Sequence, residues 1–175
     1  MLNFSRDEII DRLLKLDLDA DLLFEEEPNH FDIYLVGGGA LILQSFIPRS
    51  THNIDTINVK NNSLSELMEK YDINANSDAY LDCFANDYQS RAVKLNLGTK
   101  VIDYYTLSLE DVVISKIAAG REKDIEDINN KNVVKAINWE LLGQLANTVR
   151  EGMISDRQIS EFNHFYQDFL RVNKK

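Results

Sequence analysis

Residues 33–57 read IYLVGGGALILQSFIPRSTHNIDTI, and this segment carries the clearest structural pattern in the chain. It opens with a short apolar run rich in β-branched residues, which predicts a strand, and Gly37, Gly38 and Gly39 end that run. The apolar residues that follow predict a helix, which Pro48 stops. Three glycines at the start of a helix leave its backbone N–H groups free of side-chain obstruction. The turn is therefore suited to hold a phosphate.

A second strand is predicted after the proline, and it would carry Arg49, Thr51, Asn53 and Asp55. Alternate residues of a strand point to the same face, so Asn53 and Asp55 are expected to project together toward whatever the glycine turn holds. Phosphoryl or nucleotidyl transfer requires at least a phosphate-binding turn and, beside it, a pair of oxygen ligands for a metal ion.

At these positions the sequence resembles the nucleotidyltransferase superfamily, in which a glycine-rich strand-to-helix turn is followed by Asp-x-Asp. It is most similar to the compact bacterial branch related to abortive-infection and toxin–antitoxin nucleotidyltransferases. Their turn reads Gly-Gly-x-Ala and their second strand reads Arg-x-Thr-x-Asp-Ile-Asp, matched here by residues 37–40 and 49–55. The first aspartate of the pair is replaced by Asn53, and a neutral amide is a weaker ligand for Mg2+ than a carboxylate.

A second matching segment, SKIAAGREKDIEDI, occupies residues 115–128. The same toxin-related proteins carry Lys-x-x-Ala followed by Arg-x-x-Asp-x-x-Asp. The matching positions here are Lys116, Ala119, Arg121, Asp124 and Asp127. The resemblance implies that Lys116 reaches a nucleotide phosphate and that Asp124 or Asp127 orients it, binds metal or acts as a base.

The helix that carries Lys116 is predicted to open at the capping residue Ser108. If it continued past Gly120, then Lys116, Lys123 and Asp127 would line one face. The alternative interpretation is a surface helix with ion pairs between residues four apart.

The resemblance assigns roles to three groups of residues. The catalytic positions are Asp55, Lys116 and Asp124. The nucleotide-binding positions are Gly37, Gly38, Gly39, Arg49, Thr51 and Lys116. The metal-binding positions are Asn53 and Asp55, with Mg2+ as the cofactor and a nucleoside triphosphate as the substrate. Two further carboxylates on later predicted strands, Asp82 and Asp103, are candidates for a third ligand, and both fit ordinary solvated side chains better.

The alternation of helices and strands predicts an α/β fold: a nucleotidyltransferase-type mixed sheet flanked by helices, with a helical C-terminal half. We expect one domain, 1–175, with an α/β core over about 1–107 and a helical region over about 108–175. The predicted elements are helix 6–16 behind Ser5, a short segment 20–24, strand 33–36, helix 40–46, strand 49–59, helix 61–71, turn 74–78, strand 80–84, paired strands 91–97 and 100–107, a helix from 108, helix 139–149 and a helix after Ser155.

Composition limits the partners, the compartment and the metal sites that are expected for this protein. The formal net charge is -10, from 29 acidic and 19 basic residues, which disfavours RNA as a partner without ruling out a local basic patch. A single cysteine, Cys83, fits a reducing compartment, and the N-terminal residues lack a basic signal region, so we expect a cytoplasmic protein with no membrane association. Three widely separated histidines give no support to a zinc site.

Two hypotheses about function follow. The first is Mg2+-dependent transfer of a nucleotide from a nucleoside triphosphate to an unknown acceptor, weakened by Asn53. The second is a catalytically inactive transferase fold that acts through association with an antitoxin-like protein in a toxin–antitoxin or phage-defence system.

Overall fold

The computed structural model describes residues 3–26, 29–77 and 83–174. Its helices are α1 Arg6–Leu23, α2 Gly37–Leu43, α3 Asn62–Glu69, α4 Leu109–Ala119, α5 Glu122–Ile128, α6 Lys131–Ala136, α7 Trp139–Gly152 and α8 Asp156–Asn173, with a short 3-10 helix at Tyr88–Arg91. Its strands are β1 Phe31–Leu35, β2 Ile54–Ile57, β3 Ile73–Asn74, β4 Val93–Lys94 and β5 Ile102–Thr106. The predicted fold class is confirmed.

The chain divides into two compact units. The first comprises Met1–Asp78 and Ala92–Leu107, and the second comprises Ala79–Arg91 and Ser108–Lys175. The first unit contains the five-stranded sheet, in the order β3-β2-β1-β5-β4. Strand β1 lies at its centre, parallel to β5 and antiparallel to β2. The predicted pairing around Gly98 is confirmed, because β4 and β5 are antiparallel neighbours.

Helix α1 begins as predicted and ends later. Ser5 and Glu8 form the capping box at its start. The prediction that the helix stops at Leu16, with a separate segment near residue 20, is wrong. The buried stripe continues through Asp17 and Ala20 at helical spacing, so both segments form one helix that ends at Leu23.

Asp17 joins this helix to the central sheet. Its buried carboxylate accepts hydrogen bonds from three consecutive backbone N–H groups at the start of β5: Lys100 at 2.9 Å, Val101 at 3.0 Å and Ile102 at 2.9 Å. A charged acceptor makes these bonds stronger than neutral ones. The carboxylate therefore fixes the helix against a strand more than 80 residues further along the chain.

We expect Asp17→Asn to lower the free energy of unfolding by about 2 kcal/mol, because the amide offers one acceptor oxygen and no charge to three N–H groups. Urea denaturation would measure the loss. Asp21→Asn is the matched control, since Asp21 makes only an exposed ion pair with Lys100 Nζ, worth about 0–1 kcal/mol. Equal losses in the two variants would contradict this account of Asp17.

Two strand predictions need correction. The segment from Arg49 to Asn53 is not part of β2, which begins at Ile54. Instead the backbone of Thr51 exchanges two hydrogen bonds with Phe4, at 2.7 and 2.9 Å, as an isolated bridge to the N-terminal segment. In the predicted strand 80–84, residues 80–82 lie outside the described part of the chain, and Cys83 and Phe84 form a bend. Strand β3 forms earlier and takes Asn74 from the predicted turn.

The second unit is helical in its described part, and Gly120 sets the division between α4 and α5. Ser108 caps α4 as predicted, but the helix does not continue past Gly120, whose φ of 62° ends it in the left-handed region. A Cβ at this position would lie 2.5 Å from Phe165 Cε2. Lys123 is consequently an exposed residue of α5 and shares no continuous helical face with Lys116.

The two C-terminal helices are confirmed, with Asn138 capping α7 and Ser155 capping α8. Trp139 of α7 packs against Phe169 of α8, with ring centroids 5.8 Å apart. A helix long and apolar enough to cross a membrane is absent from the described ranges.

Candidate functional site

The three glycines form the first turn of α2 and so take part in the helix itself. Gly37 follows Val36 at the end of β1 and has a φ of 63°, a conformation that side-chain-bearing residues rarely adopt. Leu35 and Val36 are buried, which fixes the direction from which the chain enters the turn. The predicted strand, glycine turn and helix are therefore confirmed, with the helix starting three residues earlier than expected.

Arg49 and Thr51 lie against the glycine turn. A Cβ built on Gly38 would be 3.0 Å from Arg49 Nη2 and 3.6 Å from Thr51 Oγ1, whereas one built on Gly39 would meet nothing within 4 Å. The structure thus brings together three of the predicted nucleotide-binding residues, although two of them lie outside the strand that was expected to carry them. A guanidinium group beside bare backbone, with open space next to it, is an arrangement that suits an anion.

Asp55 lies on the strand next to the turn. Its carbonyl oxygen accepts a hydrogen bond of 3.0 Å from the N–H of Val36, the residue that precedes Gly37. Its side-chain oxygen Oδ1 accepts bonds from Ser77 Oγ at 3.0 Å and Asn74 Nδ2 at 3.2 Å. These two donors orient the carboxylate.

Sequence reasoning missed both donors, because the segment 74–78 was interpreted only as a connector. Its polar residues were a signal that could have suggested side-chain hydrogen bonding. The contact itself depends on the parallel pairing of β2 with β3, which sets Asp55 opposite Asn74.

The partner position, Asn53, is exposed and precedes β2. Asn53 and Asp55 therefore do not share a strand, and their expected projection to the same side stays a prediction. In the described part of the chain, Asp55 does not belong to a group of three histidine, cysteine or acidic side chains close enough to share an ion. One carboxylate fits a single Mg2+ that is also held by substrate phosphates, and it does not fit a pair of ions.

Lys116 forms a buried cluster with two aspartates of α5. Its Nζ lies 2.6 Å from Asp124 Oδ1 and 2.8 Å from Asp127 Oδ2, and the three side chains are 3%, 7% and 4% exposed. Arg121 Nε donates to the second oxygen of Asp124 at 2.6 Å. The interpretation as a surface helix with ion pairs four residues apart is wrong, because the cluster is buried and its pairs span the break at Gly120.

The contacts within this cluster suit orientation better than proton transfer. Both oxygens of Asp124 are engaged by cations, and Asp127 holds Lys116 from a second direction. The cluster lies in the second unit, whereas the glycine turn and Asp55 lie in the first. Each group of predicted site residues is thus assembled within its own unit.

A further ion pair, partly buried, lies close to the start of α4. Arg91 donates two hydrogen bonds of 2.9 Å to the carboxylate of Asp111, and Ser108 Oγ donates to the same group at 2.7 Å. Hydrogen bonding to Asp111 raises the pKa of the Arg91 guanidinium, so this cation is permanent. The pair anchors the first turn of the helix that carries Lys116.

A family model described as "Nucleotidyltransferase of unknown function (DUF6036)" matches residues 11–174, a range that includes the glycine turn, Asp55 and the Lys116 cluster. Comparison with curated proteins and with solved structures found no match. The predicted relation to the nucleotidyltransferase superfamily is therefore confirmed. The narrower relation to abortive-infection and toxin–antitoxin proteins stays a prediction.

Proposed function

We propose that this chain, which belongs to the nucleotidyltransferase family of unknown function DUF6036, transfers a nucleotide to an acceptor hydroxyl. The donor is a Mg2+-bound nucleoside triphosphate. The observation that carries the proposal is the contact of Gly38 with Arg49 and Thr51, beside the strand that holds Asp55. In the transfer, the hydroxyl oxygen bonds to the α-phosphorus, the bond to the bridging oxygen breaks, pyrophosphate leaves and the hydroxyl proton is released to solvent.

Each group of side chains has a separate task in this proposal. The Arg49 guanidinium and the N–H groups of the glycine turn bind the triphosphate, with Thr51 alongside. Asp55, oriented by Asn74 and Ser77, would hold the ion, and Asn53 would occupy the partner position. Bound there, Mg2+ would offset the charge that develops between the attacking and leaving oxygens.

The role that the resemblance gives to Lys116, contact with a nucleotide phosphate, is a separate proposal about the second unit. Its ammonium group donates to Asp124 and Asp127. Asp124 and Asp127 then act as positioning residues, because two carboxylates hold the ammonium group in one orientation.

Binding of the nucleotide tests the proposal. Calorimetric titration with the four ribonucleoside triphosphates and Mg2+ is expected to give heat with at least one of them. Gly38→Ala should weaken that binding, because the added Cβ would lie 3.0 Å from Arg49 Nη2 and the guanidinium must shift by a few tenths of an ångström from its position beside the glycine turn.

Gly152→Ala is the matched control, since a Cβ there meets nothing within 4 Å and the residue ends α7 in the second unit. Absence of heat or of any thermal shift with all four triphosphates would overturn the proposal. Equal weakening in both glycine variants would remove the role given to Arg49.

A second candidate function is protein association without catalysis. It is favoured by a row of leucines on α1, spaced four residues apart, that faces solvent: Leu14, Leu18 and Leu22. Exposed rows of this kind are used to dock an apolar helix of a partner. An active protein and an associating protein are separated by the transfer assay described in the Discussion.

A further inference from the structure

One edge of the central strand pair gathers an imidazole and two carboxylates. Asp32 of β1 and Asp103 of β5 are direct partners in the parallel register, and His30 precedes Asp32 by two residues. Side chains of register partners lie on the same face of a sheet, and so do residues two apart in an extended segment. His30 Nε2 consequently lies 3.0 Å from Asp103 Oδ2, and the three ligand atoms are all within 4.8 Å of one another.

This combination of atoms matches what transition metals bind. Imidazole nitrogen and carboxylate oxygen are ligands of Zn2+, Mn2+ and Co2+, with bonds to Zn2+ of about 2.0–2.2 Å. Two donor atoms 3.0 Å apart can occupy adjacent positions around such an ion. We propose that His30, Asp32 and Asp103 bind a divalent transition-metal ion, with water in the remaining positions.

The electrostatics of the strand pair favour a cation here. Asp32 and Asp103 are like charges at directly paired positions, an arrangement that destabilises a sheet unless a positive group lies near. Lys94 of the neighbouring strand β4 supplies one, with Nζ 2.6 Å from Asp103 Oδ2. Lys94 and a metal ion therefore compete for the same oxygen, so the Lys94 ammonium group should weaken metal binding.

The site is accessible, rigid and separate from the proposed nucleotide site. His30 is 55% exposed, so an ion can enter from solvent. Its two aspartates lie on strands joined by five register pairs, which hold the ligands in place. Asp32 lies near the start of β1. Asp55 lies near the other end, where its carbonyl oxygen accepts a hydrogen bond from the N–H of Val36, just beyond the end of β1. The inference therefore does not depend on the nucleotidyltransferase proposal.

The test is a calorimetric titration of the full chain, with any affinity tag removed, using ZnCl2 and then MnCl2. We expect one Zn2+ per chain and weaker binding of Mn2+, as the usual order of divalent affinities requires. His30→Ala should weaken Zn2+ binding by about tenfold or more. Lys94→Gln should strengthen it, because the competing ammonium group is removed.

His164→Ala is the matched control. His164 is also an exposed histidine beside an aspartate, with Nε2 3.6 Å from Asp168 Oδ2, but it belongs to no three-ligand group among the described residues. The His164→Ala variant should bind Zn2+ like the wild type. The proposal is overturned if the wild type binds no Zn2+, if His30→Ala and His164→Ala weaken binding equally, or if Lys94→Gln fails to strengthen it.

Discussion

Replacing Lys116 with methionine is expected to lower the free energy of unfolding by about 3–5 kcal/mol, the usual result of removing one partner from a buried ion pair. The variant leaves Asp124 and Asp127 buried without the ammonium group that lies 2.6 and 2.8 Å from them. Methionine keeps most of the side-chain volume, so the loss reports charge and not a cavity. Urea denaturation followed by circular dichroism would measure it.

The control is Arg121→Met, which removes the other cation from the same carboxylate. Arg121 is 63% exposed, and an exposed pair is worth about 0–1 kcal/mol. If the two variants lose equal stability, the buried cluster is not what stabilises α4 against α5.

A neutral triple variant, Lys116→Met with Asp124→Asn and Asp127→Asn, separates stability from function. It should recover part of the lost stability, since no carboxylate is left buried without its cation. It should not recover nucleotide transfer, because the proposed phosphate-binding cation is absent. Transfer activity in a stable triple variant would remove Lys116 from the proposed site.

The Asn53→Asp substitution is expected to strengthen Mg2+ binding and to raise or create nucleotide transfer, by about tenfold or more. Its carboxylate adds a full negative charge two residues before Asp55, and contacts to charged groups contribute about 1.5–3 kcal/mol. Asp55→Ala should abolish transfer, because it removes the carboxylate that Asn74 and Ser77 orient. Asn96→Asp is the control, since it adds the same charge at another exposed position of the first unit.

The measurement uses radiolabelled triphosphates and a cell extract, with RNA, protein and small solutes separated afterwards. The net charge of -10 favours label on protein or small molecules over RNA. If Asn53→Asp changes nothing while Asp55→Ala abolishes a robust wild-type activity, the site is not impaired by Asn53. If the wild type and Asn53→Asp both lack activity, the result supports the second candidate function, protein association without catalysis.

Local patterns in the sequence predicted the parts of the site that depend on local structure. The β-branched run before Gly37 predicts the existence of β1, and the capping residues Ser5 and Ser108 mark the starts of α1 and α4. Contacts between distant segments could not be predicted from local sequence patterns. Nothing near Asp55 in the sequence indicates that Ser77 donates to it, because that contact follows from the pairing of β2 with β3.

Two further features depend on strand pairing that the sequence does not indicate. The segment 49–53 was expected to extend β2, but the pairing of Thr51 with Phe4 satisfies its backbone elsewhere. The alternation of polar residues in that segment indicated a strand without indicating its partner. Similarly, the contact of His30 with Asp103 follows from the β1–β5 register, which joins positions about 70 residues apart.

The parallel pairing of β1 with β5 has a consequence for the chain during its synthesis. Strand β1 ends at Leu35 and its partner begins at Ile102. At about 5–20 residues per second, a ribosome needs several seconds to make the residues between them. Throughout that interval one edge of the future central strand lacks its partner, and the carboxylate of Asp17 lacks its three N–H donors. The nascent first unit is thus most exposed to aggregation before β5 emerges, and molecular chaperones would act on it at that stage.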